Sequence, residues 1–373
     1  MTVHGSCDER FSAVRDAFAA NFDQGLDVGA SVAIALDGEI VVDLWGGTID
    51  DEGTPWERDT VINVWSTTKT MAALCALVLA DRGELDVDAP VARYWPGFEA
   101  EGKDGVLVRH ILSHTAGLPG WTEPMQREDL YDWDKATSLL AAQAPWWEPG
   151  TAIGYHGVTQ GYLVGEVVRR VAGCTLGSFF RTEIAEPLGA DFHIGTPESV
   201  DPRVALVIPP NLELTPVDAD SLVVRAFSNP PLDATQSWEI PWRRCESPAV
   251  NGHGNARSVV TVQRAVACGG SVDGVTLLSP EGCDRIFQEQ AYDVDLILGI
   301  KNRHGIGYGL TSPDVPLSPN ERACFWGGWG GSLVVCDLDA HLCIAYVMNK
   351  MGEGTVGDIR GGALVWAAYG CLS

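Results

Sequence analysis

The chain has 373 residues, enough for one large domain or two closely packed lobes around a sizeable core. Hydrophobic residues make up 46% of the sequence and charged residues 20%, which is typical of a globular protein and not of a disordered one. The formal net charge of −25 disfavours binding to nucleic acid or to an anionic membrane, because like charges repel.

The N-terminal stretch MTVHGSCDERFSAVRDAFAANF predicts an amphipathic surface helix. It lacks the basic start and apolar run of a signal peptide, and no apolar run in the chain reaches the length of a membrane span. The ten cysteines are scattered and form no C-x-x-C pair. Free buried thiols explain this pattern better than disulfides or a zinc site, and the sequence therefore predicts a cytoplasmic protein.

The first half of the chain predicts a β-hairpin followed by helices. Residues 31–45, SVAIALDGEIVVDLW, form two alternating runs joined by Asp37-Gly38, which is a strong hairpin signal. A helix is expected to begin near Ser66 and to end at Gly83. Further helices are predicted over 107–114, 134–143, 157–172 and 176–186.

The second half begins with a proline-rich section, 197–250, that shows little periodicity and predicts a functional loop or lid. SLVVCDLD and HLCIAYVMNK then predict paired strands, and residues 355–369 predict a closing helix. Strands at both ends and helices between them predict an α/β (α+β) fold, in which one mixed, mainly antiparallel sheet is flanked by helices. We expect a single unit over 1–373, with an α/β part (1–85 and 250–373) and an inserted helical lobe (86–249).

The stretch VWSTTKT places Ser66 and Lys69 three residues apart at the start of an apolar helix. Residues at i and i+3 lie on one helical face, so the hydroxyl and the amine can meet. A lysine desolvated against MAALCALVLA could have a pKa low enough to activate the serine. The simpler interpretation is a helix cap beside an exposed lysine, and a bare S-x-x-K pattern does not exclude it.

Six stretches of the sequence match motifs of a known protein family and occur in the expected order. They are VWSTTKT, GELDVDAPVARYWPGF, VRHILSHTAGLPGW, WWEPGTAIGYHGVTQGYLVGEVVRRVAG, NGHGNARS and WGGWGGS. Together they resemble the serine β-lactamase and penicillin-binding-protein superfamily, and they are most similar to its branch of family VIII carboxylesterases, class C β-lactamase-like esterases. The resemblance spans nearly the whole chain, and it implies the β-lactamase-like fold.

The resemblance implies a catalytic tyrosine that opens a Y-x-N motif. Here the matching residues are Tyr155, His156 and Gly157, so a glycine replaces the asparagine. Tyr155 would act with Lys69 as general base and acid, and the alternative is a half-buried tyrosine bonded to backbone. Tyr162 is the substitute candidate, and His156 is a candidate for touching the substrate or tuning the phenol.

The third element of lactamases, K-T-G, does not occur near the C-terminal strands. The matching stretch is WGGW, residues 326–329, similar to the W-G-G variant of the esterase branch. By similarity, the Trp329 N–H would join that of Ser66 in an oxyanion hole, while the alternative is a glycine-rich strand edge without a ligand. The expected substrate-binding residues are Trp326, Gly327, Gly328, His156 and Trp65.

The exchange of lysine for tryptophan at position 326 favours neutral esters over carboxylated β-lactams. The expected function is therefore ester hydrolysis through an acyl-enzyme on Ser66, with a small-molecule ester as partner. Acyl transfer to an alcohol, a β-lactamase or D,D-peptidase activity, and a binding protein that has lost the chemistry are the alternatives. No motif predicts a cofactor or a metal, and the pair His110 and His114 does not form a metal-binding motif. Neither nucleic acid nor a membrane is an expected partner. A homo-oligomer is left open.

Overall fold

The computed structural model describes residues 2–211, 218 and 221–372. Its strands, numbered along the chain, are β1 (Val3–Cys7), β2 (Gly29–Leu36), β3 (Glu39–Gly47), β4 (Ile62–Asn63), β5 (His253–Gly254), β6 (Ser271–Val272), β7 (Val275–Thr276), β8 (Ala291–Val294), β9 (Lys301–His304), β10 (Gly309–Leu310), β11 (Ala323–Gly327), β12 (Leu333–Asp337) and β13 (Leu342–Met348). Its helices are α1 (Ser12–Asp23), α2 (Thr68–Asp81), α3 (Val108–Leu112), α4 (Trp133–Ala142), α5 (Thr159–Ala172), α6 (Leu176–Phe180), α7 (Glu186–Leu188), α8 (Leu222–Phe227), α9 (Ile240–Arg244), α10 (Ala256–Ala267), α11 (Pro280–Ile286) and α12 (Ile359–Gly370). None of these helices is long and apolar enough to cross a membrane.

Nine of the strands form one sheet in the order β1-β3-β2-β13-β12-β11-β10-β9-β8. Every neighbouring pair in this sheet runs antiparallel. The sheet takes its strands from residues 3–47 and 291–348, so both ends of the chain build it, and the predicted fold class is confirmed. The pairs β4–β5 and β6–β7 form two small separate sheets.

Helices cover both faces of the sheet. The Tyr346 ring on β13 packs against Arg360 of α12, 5.9 Å from its guanidinium carbon. Cys336, which pairs with Cys343 on β13, instead contacts the Gln263 carbonyl of α10. Because side chains alternate along a strand, Tyr346 and Cys343 point to opposite faces. Consequently α12 and α10 lie on opposite sides of the sheet.

The predicted hairpin is confirmed. Asp37 and Gly38 join β2 to β3 with φ of +52° and +85°, the left-handed pair that a tight two-residue turn requires. The two strand predictions near the C-terminus correspond to β12 and β13, and the closing helix begins at Ile359, four residues later than expected. All ten cysteines are free, but only five of them are buried: Cys75, Cys283, Cys324, Cys336 and Cys343.

The N-terminal prediction was partly wrong. Residues 3–7 form β1, which pairs with β3 from Val3 opposite Gly46 to Cys7 opposite Val42, and helix α1 begins only at Ser12. Gly5 has φ +108°, and a Cβ there would lie 2.0 Å from the Asp43 carbonyl oxygen. This strand covers the edge of β3, which would otherwise present unpaired backbone groups to solvent.

Between α2 and α10, the regular elements of the described chain are helices, apart from the short strand β5. The predicted helices correspond to α3, α4, α5 and the continuous run from α6 through a π-helical turn to α7. The proline-rich section is less irregular than expected, because it contains α8 and α9, and its Pro216 lies outside the described residues. The division of the chain at residues 85 and 250 stays a prediction.

Candidate active site

Ser66 lies in a 3-10 turn, Trp65–Thr67, directly before α2. Trp65 has φ +50°, a conformation that costs a non-glycine residue on the order of 1–3 kcal/mol. Its ring is buried and packs against Trp242 at 5.9 Å and against Trp329 at 5.0 Å between ring centroids, which holds the strained turn in place. The turn replaces the helical first turn that the sequence predicted.

Lys69 lies one turn further on, and its side chain is buried, with 1% of its surface exposed. Its Nζ is 3.0 Å from Ser66 Oγ and donates to the carbonyl oxygens of Gly157 at 2.7 Å and Ala249 at 3.1 Å. None of these partners is a carboxylate. Burial therefore lowers the pKa of Lys69 well below its ordinary value.

Tyr155 reaches the same point from the loop that precedes α5. Its hydroxyl donates to Ser66 Oγ at 2.6 Å, and its ring centre lies 4.9 Å from Lys69 Nζ. Burial raises the pKa of Tyr155, while hydrogen bonding by Ser66 opposes this shift only in part. The structure thus brings the three residues of the predicted catalytic group into direct contact.

The segment that follows β11 packs against the Ser66 turn. A Cβ on Gly328 would lie 2.5 Å from the Val64 carbonyl oxygen and 3.2 Å from Ser66 N, so only glycine permits this approach. Ser332 ties the same segment down, because its hydroxyl donates to the Val64 carbonyl at 2.7 Å. Among the described residues, the Trp329 N–H donates to no acceptor.

A cavity of about 250 Å³ opens at Ser66 Oγ. None of the described residues that line it is charged, and most of its surface is apolar. Phe227 of α8, Leu232 and Val250 come from the proline-rich section, so described residues of this section form part of the cavity wall. The lining residues are Trp65, Ser66, Tyr155, Gly157, Val158, Phe227, Leu232, Val250, Trp329 and Thr355.

A family model described as Beta-lactamase matches residues 18–365 of this chain. The chain belongs to the β-lactamase family. This membership confirms the resemblance that the sequence motifs indicated.

Similar proteins from this family include esterases. The esterase/beta-lactamase LipL of Mycobacterium tuberculosis is 35% identical, over 94% of this chain and 83% of that protein. A crystal structure of a family VIII carboxylesterase superposes with a TM-score of 0.94 at 44% identity, over 100% of both chains. A penicillin-binding-protein homolog from Caulobacter crescentus gives a TM-score of 0.94 at 40% identity, also over 100% of both chains.

Three residues of the WGGW stretch, Trp326, Gly327 and Gly328, do not line the cavity of this β-lactamase-family chain. Trp326 was expected to bind substrate, but it is 5% exposed and stacks on His114 at 5.1 Å and on Tyr155 at 6.1 Å. It therefore backs the tyrosine instead of lining the cavity. Gly327 packs closely against the chain that follows β13. A Cβ at this position would lie 2.4 Å from the Val356 carbonyl carbon, so a larger residue would not fit.

His156 is not among the residues that line the cavity either, and its contact with substrate stays a prediction. The ring is fully buried. Its Nε2 accepts from the Leu118 N–H at 2.9 Å, and its Nδ1 lies 2.6 Å from the Gly154 carbonyl oxygen. Burial lowers the pKa of His156 to about 3, so the ring is a neutral brace of the loop.

The remaining candidates are structural. Tyr162, the substitute for Tyr155, is fully buried in α5 and donates to the Leu130 carbonyl at 2.6 Å. His114 has φ +62° and accepts the His156 N–H on Nδ1 at 3.0 Å. Among the described residues, no group of three or more metal-binding side chains comes together.

Sequence reasoning missed Asp295, and it did not single out Phe227 among the proline-rich residues. Asp295 accepts the backbone N–H of Tyr155 at 3.0 Å, although 140 residues separate them. The local signal was an aspartate among aliphatic residues shortly before Gly299, which is typical of a turn. Nothing in that signal indicates the long-range partner.

Proposed function

We propose that this β-lactamase-family protein is a serine carboxylesterase that forms an acyl-enzyme on Ser66. The observation that carries the proposal is the contact of Ser66 Oγ with both Lys69 Nζ and Tyr155 Oη, beside an uncharged cavity. The names of the similar proteins, an esterase/beta-lactamase and a family VIII carboxylesterase, support the same reaction.

Burial lowers the pKa of Lys69 and so favours the neutral amine, whose hydrogen bonds can be assigned as follows if Lys69 is the base. A neutral amine has two N–H groups and one lone pair, and the Gly157 and Ala249 carbonyls can only accept. Both N–H groups therefore point to these carbonyls, which leaves the lone pair for the Ser66 hydroxyl proton. Tyr155 donates to the same oxygen, so the protons run in one direction, from tyrosine to serine to lysine.

In the proposed reaction, Ser66 Oγ attacks the ester carbonyl as Lys69 takes its proton. The oxyanion is stabilised by the N–H groups of Trp329 and Ser66. Tyr155 then protonates the departing alkoxide, and the protonated Lys69 restores the proton to the phenol. A water molecule activated by the same groups hydrolyses the acyl-enzyme and releases the acid.

The cavity favours a neutral substrate. A carboxylate entering it would lose its water without meeting a cation among the described lining residues. An unpaired buried charge is expensive, so carboxylated β-lactams should be poor substrates. Acyl transfer to an alcohol would use the same residues and stays a prediction, which the ratio of ester to acid formed in the presence of an alcohol would test.

The test is hydrolysis of p-nitrophenyl butyrate by Ser66→Ala, with Ser113→Ala as the matched control. Ser113 is another buried serine, whose hydroxyl donates to the Arg109 carbonyl outside the site. Loss of the nucleophile should lower kcat by about 10⁴-fold or more, while the control keeps its activity. A fluorophosphonate should label the parent and the control but not Ser66→Ala; ester turnover retained in that variant would refute the proposal.

A further inference from the structure

We propose that Asp295 is a positioning residue, which holds Tyr155 at hydrogen-bonding distance from Ser66. The inference rests on the proposed function, because it concerns the residue that donates to the nucleophile. Asp295 does not itself line the cavity, and of the three residues whose N–H groups its Oδ1 accepts only Tyr155 does, so it would act through Tyr155.

The carboxylate of Asp295 is an anchor for backbone groups. It is 1% exposed, and its Oδ1 accepts the N–H groups of Tyr155 at 3.0 Å, Ile297 at 2.8 Å and Leu298 at 2.9 Å. Its Oδ2 is buried and has no partner among the described residues. A buried carboxylate without a cation is costly, so its hydrogen bonds must compensate.

Two of those hydrogen bonds belong to the turn itself. An aspartate commonly accepts the N–H groups two and three residues ahead, and those of Ile297 and Leu298 fit this pattern. The turn is closed further by the Asp295 N–H to the Ile300 carbonyl at 2.9 Å and by the Gly299 N–H to the Asp295 carbonyl at 2.8 Å. The third N–H, that of Tyr155, is not needed to form a turn.

A second bond joins the same two segments. The Leu296 N–H donates to the Ile153 carbonyl at 2.9 Å, two residues before Tyr155. The backbone of the catalytic tyrosine is thus fixed at two points by the connection between β8 and β9. Its ring is fixed separately by a stack with Trp326 at 6.1 Å and by a tilted contact with His114 at 5.3 Å between ring centroids.

Fixing both the backbone and the ring determines where the phenol oxygen lies. That oxygen is 2.6 Å from Ser66 Oγ, and a displacement of about 1 Å can lower a catalytic rate by about 10²-fold. Burial, with a smaller contribution from Asp295, raises the pKa of Tyr155, which keeps the phenol protonated and able to donate. The turn around Asp295 therefore serves the site as well as its own stability.

The test compares Asp295→Ala, Asp295→Asn and the control Asp337→Ala in the full chain. The asparagine oxygen can accept the same three N–H groups, whereas alanine accepts none. Asp337 is a fully buried aspartate that also accepts two backbone N–H groups, but it lies at the far end of β12 from Gly328. Active sites are counted by the end point of fluorophosphonate labelling, so that kcat is expressed per folded site.

We expect Asp295→Ala to lose about 10²-fold in kcat per labelled site, with KM changed by no more than about threefold. Asp295→Asn should restore kcat to within about threefold of the parent, and Asp337→Ala should lose thermal stability but not kcat. The labelling rate of Asp295→Ala should fall with its kcat. If Asp295→Ala does not fold, Asp295→Ser, which keeps a shorter acceptor, takes its place with an intermediate loss expected.

Normal kcat per site in the alanine variant, or an equal loss in the asparagine variant, would overturn the positioning role. A rise in KM alone would overturn it too, because that would indicate substrate binding. Each of these three results leaves the proposed function standing as long as Ser66→Ala is inactive and unlabelled. Activity in Ser66→Ala would instead remove the proposed function, and the inference with it.

Discussion

The most direct perturbation of the proposed proton path is Tyr155→Phe. The substitution removes one hydroxyl, which donates to Ser66 Oγ at 2.6 Å, and keeps the ring that packs against Trp326 and His114. Ser66 Oγ retains Lys69 as a partner, so no buried polar atom is left without one. The free energy of unfolding should therefore fall by only about 1 kcal/mol.

The effect on rate should be much larger. A positioned acid or base contributes about 10²–10⁴-fold, which corresponds to about 3–5 kcal/mol of transition-state stabilisation. The loss should be greater for an alkyl ester such as ethyl butyrate than for p-nitrophenyl butyrate, because an alkoxide needs a proton to leave and a nitrophenolate needs it much less. Both substrates are assayed for kcat and KM, by pH-stat for the alkyl ester.

Tyr162→Phe is the matched control for this experiment. Tyr162 is equally buried, and its hydroxyl also donates at 2.6 Å, but to the Leu130 carbonyl away from the site. It should lose stability of the order of 1–3 kcal/mol, since a buried carbonyl is left unpaired, and keep its kcat. If Tyr155→Phe keeps kcat within about threefold on the alkyl ester, the phenol is not the acid and the proton path is wrong.

Two further predictions concern the base and the cavity. Because burial lowers the pKa of Lys69, kcat/KM should rise with pH as this amine loses its proton, with a midpoint well below 10.5. Burial lowers the pKa of His156 to about 3 and that of His304 to about 4, so both rings are already neutral at the pH values where Lys69 should lose its proton. A midpoint at or above 10.5 in the pH–rate profile would contradict the assignment of Lys69 as the base. Phe227→Ala should widen the cavity and raise the ratio of hexanoate to acetate hydrolysis by about fourfold or more, since each buried CH₂ contributes about 0.8 kcal/mol. The similarly exposed Trp366→Ala on α12 is its control, and an unchanged ratio in Phe227→Ala would remove Phe227 from the specificity wall.

The features that the sequence predicted correctly are those that interactions between neighbouring residues determine. The Asp37-Gly38 pair set the hairpin because both residues must take positive φ, and few other residue pairs do so readily. The S-x-x-K spacing placed an amine within 3.0 Å of a hydroxyl because three residues make nearly one helical turn. The strained φ of Trp65 was not predictable, since it is imposed by packing against Trp242 and Trp329 from distant parts of the chain.

Long-range contacts account for the remaining differences. The first residues have a helix-like pattern, yet β1 forms because the edge of β3 is available beside it. His156 lies next to Tyr155 in sequence, but successive side chains of an extended loop point in different directions. Its ring therefore faces Leu118 and Gly154 instead of the cavity. Asp295 could be identified only once the fold had brought β8 and β9 against the loop before α5.

The chemistry of Lys69 and the neutrality of the cavity depend on each other. Lys69 can act as a base only while burial without a carboxylate partner keeps its pKa low. A carboxylate bound beside Ser66 would stabilise the protonated amine, raise that pKa and remove the lone pair that the serine proton needs. An uncharged lining of Trp65, Val250 and Leu232 excludes such a group at the same time as it binds neutral ester. The preference for neutral over anionic substrates therefore follows from the way burial activates Lys69, as well as from the absence of a cation at position 326.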